Sequence, residues 1–141
     1  MSTEVIVYVL TALAAVVVVL TRLRLGRGHA GAGRLSTGRR FVDVHTVAGV
    51  LALLAWVAFL AFPDDSVLGG NAAGIVALAF WWITVVAGLF ILVRWLPTRG
   101  KHASDGSADT WSEGPGLSLL GHVGMLVGVC VFTWAYLTSA V

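Results

Sequence analysis

The chain predicts an all-α integral membrane protein, a four-helix up-down bundle with both termini outside. Three observations carry this. Hydrophobic residues make up 58% of the 141 residues and charged residues only 11%, where a soluble domain carries roughly 25% charged residues to face water. The apolar residues fall into four continuous stretches. All nine Lys and Arg residues lie in two of the segments between or beside them. This composition excludes a nucleic-acid-binding module, a secreted disulfide scaffold and a disordered tail. The mean hydropathy of +0.92 agrees.

The four stretches span residues 4–21, 41–62, 71–96 and 115–139. A helix needs about 20 predominantly apolar residues to cross about 30 Å of hydrocarbon at 1.5 Å per residue. All four qualify, the first being the shortest. The runs are continuous rather than alternating, which excludes a transmembrane β-barrel. The first is not a signal peptide by pattern, because Glu4 precedes it and arginines follow it. It reads as an uncleaved anchor.

Arg22, Arg24, Arg27, Arg34, Arg39 and Arg40 lie between the first two spans, and Arg94, Arg99 and Lys101 at or after the end of the third. The positive-inside rule then makes loops 22–40 and 97–114 cytoplasmic, in a multi-pass protein of the plasma membrane. Local chemistry agrees. Pro115 sits where the first turn of helix 4 begins, and Ser36 or Thr37 can cap helix 2. Asp43 falls in the first turn of helix 2, within reach of Arg39 or Arg40. Trp95 and Trp111 flank one interface, and Trp134 with Tyr136 approaches the other. The single cysteine, Cys130, cannot form an intrachain disulfide.

The two halves can be laid over each other. Arg22 to His29 (RLRLGRGH) aligns with Arg94 to His102 (RWLPTRGKH), His45 with His122, and Trp56 with Trp134. Such a repeat would relate two hairpins by an axis along the membrane normal.

His45 and His122 are the ionisable residues this reading places inside the hydrocarbon, where such groups are rare and expensive. His45 is six residues beyond Arg39 and His122 seven beyond Pro115, so both lie about 9–10 Å along their helices. Helices 2 and 4 run in the same direction. The imidazoles are therefore expected at nearly one level, about 6–7 Å inside the cytoplasmic boundary of an about 30 Å core. Two neutral imidazoles facing each other at one depth supply both axial ligands of a haem. Gly49 stands one turn above His45, and Gly121, Gly124 and Gly128 surround His122, leaving room for a macrocycle. Arg39, Arg40, Arg94 and Arg99 stand where anionic propionates would reach the surface.

These residues, His45 with Gly49 and His122 with Gly121 and Gly124, resemble the membrane b-type cytochromes, in which histidines on the second and fourth helices of a four-helix bundle clamp a haem. The resemblance implies haem b, iron held by His45 and His122, and electron transfer. Cytochrome b proper has two histidines per helix, a dozen or more residues apart. Ala58 and Tyr136 stand at the corresponding outer positions here, so the pattern has room for one haem. A c-type haem is excluded by the absence of C-x-x-C-H.

A structural role for the histidines explains the same residues. A membrane-helix histidine commonly bonds a nearby hydroxyl or reaches the headgroups, and Thr46 and Ser118 are available. Gly124-x-x-x-Gly128 is also an ordinary close-packing motif. Zinc usually takes three or four protein ligands, more than this pair provides. Trp81 and Trp82, mid-span in helix 3, can wall a quinone or haem pocket or simply pack. No nucleophile elbow, P-loop, H-E-x-x-H or intramembrane carboxylate pair is present. The sequence therefore leads first to a cofactor-free accessory subunit, partnered by the lipid bilayer and by another membrane protein or a second copy. The alternative is a single-haem b-type cytochrome or haem-binding anchor, an electron carrier rather than a stand-alone enzyme.

Overall fold

The structure is a computed structural model that describes residues 2–27, 39–95 and 115–141, with side chains at 2–19, 43–93 and 119–141. Four α-helices cover these residues, and no strand occurs among them: α1 (Thr3–Arg27), α2 (Arg39–Ala61), α3 (Asn71–Trp95) and α4 (Pro115–Leu137). Asp43–Ala61, Asn71–Val93 and Leu119–Leu137 are long and apolar enough to cross a membrane; the described apolar part of α1, Thr3–Val19, is shorter.

Helix ends follow backbone hydrogen-bonding needs rather than hydropathy. Ser2 caps α1, its Oγ accepting from the Val5 amide at 3.4 Å. Helix α1 runs six residues past the apolar limit at 21, because Leu and Arg favour helix whether or not the surroundings are apolar. Helix α2 starts at Arg39, two residues earlier than the apolar run, so Asp43 lies in its second turn and no acidic residue occupies the first. That corrects the expected first-turn position of Asp43; the Arg39 and Arg40 side chains expected to pair with it lie outside the described residues. Pro115 does open α4. At the other end Ser139 adopts φ 50°. The Ser139 amide bonds the Tyr136 carbonyl at 3.1 Å and the Ala140 amide the Ala135 carbonyl at 2.9 Å, a Schellman ending with serine in glycine's usual place.

Helices α2 and α3 are joined by a tight turn over residues 62–70. The Ser66 hydroxyl donates to the Pro63 carbonyl and accepts from the Gly69 amide. A Cβ at Gly69 would overlap the Phe62 and Pro63 carbonyl oxygens, so only glycine lets the chain turn back here. Helix α3 then runs back along α2, pairing Gly74 with Phe59, Thr84 with Gly49 and Gly88 with His45. Helix α4 runs back along α3 in turn: Tyr136 Oη donates to the Asn71 carbonyl (3.0 Å) and Trp82 Nε1 to Thr133 Oγ1 (3.2 Å).

Contacts close a ring, α1 on α2, α2 on α3, α3 on α4 and α4 on α1, with α2 and α3 the most extensively packed pair. Helices α2 and α4 therefore stand diagonally opposed. Only side chains bridge them. In one half of the bundle these are aromatic: Trp56 stacks on Phe132 (centroids 4.8 Å apart, planes at 27°), with Phe59, Tyr136 and Trp81 tilted around them at 5.3–5.8 Å, the offset and tilted arrangements aromatic rings prefer. Trp56 is fully buried, and its Nε1 donates to Thr11 Oγ1 at 3.1 Å, tying α1 to the core. Outside, the bundle is apolar as well. Leu54, Val47, Phe90, Val93, Leu120 and Val127 are all more than half exposed, far more apolar surface than a water-facing monomer shows.

Candidate functional site

In the other half of the bundle, the diagonal is bridged by the two histidines. His45 on α2 and His122 on α4 have ring centroids 6.1 Å apart and planes inclined by 22°. What lets them meet is the intervening helix. A Cβ at Gly88 of α3 would lie 2.9 Å from His45 Cε1, 2.9 Å from His122 Cδ2 and 3.3 Å from His122 Nε2. Any larger residue would push the rings apart. Gly88 is thus the floor of the pair.

His45 is held from its far side. Its Nδ1 lies 2.9 Å from the Thr84 carbonyl oxygen. A carbonyl only accepts, so Nδ1 carries the proton and Nε2 of the neutral ring keeps its lone pair. A backbone carbonyl on the second nitrogen is the usual support of a metal-ligating histidine. The hydroxyl expected to serve His45, Thr46, is replaced in that role by this carbonyl. Thr84 is itself fixed, its Oγ1 donating to Phe80 O at 2.8 Å and its Cγ2 standing 3.4 Å from where a Gly49 Cβ would be. A methyl at Gly49 would thus meet Thr84 at an ordinary contact distance, and the approach of α2 to α3 beside the His45 bond does not depend on glycine there.

The ring spacing has a chemical meaning. Two metal–nitrogen bonds of about 2 Å, plus roughly 1 Å from each nitrogen to its ring centre, add up to about 6 Å. The observed centroid separation of 6.1 Å is of that order, with the two ring planes stacked at 22°. No group of three or more His, Cys, Asp or Glu occurs among the described residues, so the pair offers two ligands and no protein-built equatorial set.

Beside the pair lies a cavity of about 110 Å³, lined by Ala14, Val17 and Val18 of α1, His45, Thr46, Gly49 and Val50 of α2, Trp81 and Thr84 of α3, and Met125 of α4. A Cβ at Gly121, Gly124 or Gly128 of α4 would meet nothing within 4 Å; Gly124 is exposed, Gly121 half-buried and Gly128 buried. They lie on the flank of α4 away from His122 and Thr133, which touch α3.

Of the residues singled out from sequence, His45, His122 and Gly49 come together. Gly121 and Gly124 stand on the same helix as His122, with room for a methyl group at each. The side chains of Arg39, Arg40 and Arg94, all of Arg99, and Ser36, Thr37 and loop 97–114 lie outside the described residues. The tryptophan pair divides: Trp81 is buried in the cavity wall, whereas Trp82 is 38% exposed at the α3–α4 seam. Of the aligned half-repeat positions, the histidines share one environment, but Trp56 is buried and Trp134 is 55% exposed.

Two residues escaped sequence reasoning, Gly88 and Thr84. A signal for Gly88 existed, since it stands six residues before Arg94 just as His45 stands six beyond Arg39. Thr84 acts through its carbonyl, which no residue type encodes. Comparison of the chain with protein-family models, with curated proteins and with solved structures finds no match in any of the three.

Proposed function

We propose that the chain is a single-haem membrane protein in which His45 and His122 provide the two axial ligands, serving as an electron carrier or as the anchor of a redox complex. The observation that carries this reading is the diagonal imidazole pair, 6.1 Å between centroids across a glycine floor. Held by His45 and His122, a haem would supply the one-electron chemistry that no side chain here provides. The chain's own residues do the rest. Thr84 O orients His45 and holds its proton on Nδ1, and Gly88 leaves the space between the rings clear. Arg39, Arg40, Arg94 and Arg99 are placed by sequence at the end where propionates would emerge.

The cavity of about 110 Å³ is smaller than the about 300–1,000 Å³ of ordinary ligand pockets. Admitting the haem takes outward movement of α1, which packs less extensively than α2 and α3 pack on each other. In this reading the bundle is up-down in the plasma membrane, with both termini outside and loops 22–40 and 97–114 cytoplasmic. A reporter fused after Val141 that is active only outside the membrane checks that orientation.

The glycine flank of α4, with room for a methyl group at each position, favours a second reading, a cofactor-free accessory subunit whose small-residue face receives a helix of a larger membrane assembly or of a second copy. One experiment separates the two. Absorption spectra are taken of the detergent-purified protein, air-oxidised and then dithionite-reduced, alongside His45→Ala and His122→Ala. A sharp reduced α-band lost in both variants supports the haem. A featureless visible spectrum from folded protein supplied with haem overturns it and leaves the accessory subunit.

A further inference from the structure

Helix α1 is seated in the bundle over only part of its length. Val7, Thr11 and Ala14, at i, i+4 and i+7, are all buried, the stripe of a packed helix. Val18, the next position of that stripe, is only half-buried, and Val16, Val17 and Val19 are exposed. From Ala14 onward α1 and α2 enclose the cavity beside His45, with Ala14, Val17 and Val18 on one side and Thr46, Gly49 and Val50 on the other. Thr11 stands just before this change. Its hydroxyl accepts from Trp56 Nε1 at 3.1 Å and donates to the Val7 carbonyl, one turn back, at 2.8 Å. A threonine bonded to its i−4 carbonyl competes with the helix's own amide bond there and bends helices.

We infer that α1 is a lid over the histidine site, hinged at Thr11. The part before the hinge stays fixed to the core, and the part beyond it swings away from α2, opening a lateral path from the bilayer to His45. The inference deepens the haem reading and rests on it for what passes through. The α2–α3 seam is not an alternative route, because those helices form the most extensively packed pair and the bond from His45 Nδ1 to the Thr84 carbonyl crosses between them. Opening the α1 side is inexpensive in a membrane. It moves Ala14 and Val18 from protein into lipid tails, which are as apolar as leucine, so packing is lost but no hydrophobic term opposes the swing. A bend of about 20° at Thr11 carries Val19, about 12 Å further along the helix, outward by about 4 Å. That is about the 3.5–4.0 Å contact thickness of a planar ring entering edge-on.

The test measures spin-label distances by pulsed electron resonance on the full chain in nanodiscs, with the exposed Cys130 replaced by serine. One labelled pair, Val19→Cys with Val86→Cys, spans α1 and α3 beyond the hinge. A second, Tyr8→Cys with Ile75→Cys, spans the same helices before it. All four positions are exposed and none belongs to the histidine site. Each pair is measured in the apoprotein and after adding haemin, with the absorption spectrum of the same sample recorded. Expected in the apoprotein is a second, longer distance for the Val19–Val86 pair alone. Haemin should make it the main one, about 4 Å longer, with the Tyr8–Ile75 distance unchanged. A haem band without any change in the Val19–Val86 distance overturns the lid and leaves the haem reading standing. Equal lengthening of both pairs overturns the hinge, since α1 then leaves as a whole. If no haem band forms, the haem reading fails and the apoprotein decides the lid. A Val19–Val86 distribution as narrow as that of Tyr8–Ile75 overturns it, and a second, longer population supports it.

Discussion

Gly88→Ala is the most direct perturbation of the site, because it adds one methyl group at its floor. The new Cβ would stand 2.9 Å from His45 Cε1 and 2.9 Å from His122 Cδ2. Non-bonded carbons settle at about 3.5–4.0 Å, so each ring must retreat by about 0.6 Å or more. Metal–ligand distances tolerate about 0.2 Å. The two imidazoles would then no longer span one iron. Overpacking of this kind costs about 1–3 kcal/mol, and at about 1.4 kcal/mol per decade haem affinity should fall roughly five- to 150-fold. The assay is a haem titration of purified apoprotein by difference absorbance, with the spin state read from the same spectra. A shift from a six-coordinate low-spin spectrum toward high spin is expected. Gly49→Ala is the control. Its Cβ would meet Thr84 Cγ2 at 3.4 Å, an ordinary contact, and affinity should stay within about twofold. A Gly88→Ala protein that binds haem as tightly as wild type with an unaltered spectrum would refute the reasoning. So would a Gly49→Ala protein that loses as much.

Other consequences test separate links. Thr11→Val removes the acceptor of Trp56 Nε1 inside the core and should cost about 1–3 kcal/mol of stability, measured as a lower midpoint of unfolding in detergent; an unchanged midpoint would show that the bond contributes nothing. Ser139→Gly relieves a φ of 50° and should stabilise the end of α4 by about 1 kcal/mol, and a lowered midpoint would contradict the Schellman assignment. Gly121→Ala and Gly124→Ala place methyls in open space, so folding should be unaffected. Haem uptake should be unchanged as well, since that flank is turned from His122, and a loss of uptake by folded protein would contradict this placement.

Much of this molecule was legible in the chain because the deciding quantities are local. Continuous apolar runs mark helices, whatever their partners, and the four helices appear where the runs lie. Their ends were less legible. Arg22 to Arg27 end an apolar stretch without ending a helix, since charge governs burial while propensity governs backbone. The equal depth of His45 and His122 also followed from counting residues, because a helix rises by a constant 1.5 Å per residue.

Azimuth was another matter. Depth along a helix is additive in sequence, but the direction a side chain faces depends on how neighbouring helices rotate and approach. Tertiary packing alone decided that α2 and α4 stand diagonally opposed, that Trp81 turns inward while Trp82 turns out, and that Gly121 and Gly124 each keep room for a methyl group. It also supplied the two participants that residue types could not announce. One is an absent side chain at Gly88 that gives both rings their place. The other is a backbone carbonyl at Thr84, present in every residue and made specific only by where α3 lies against His45.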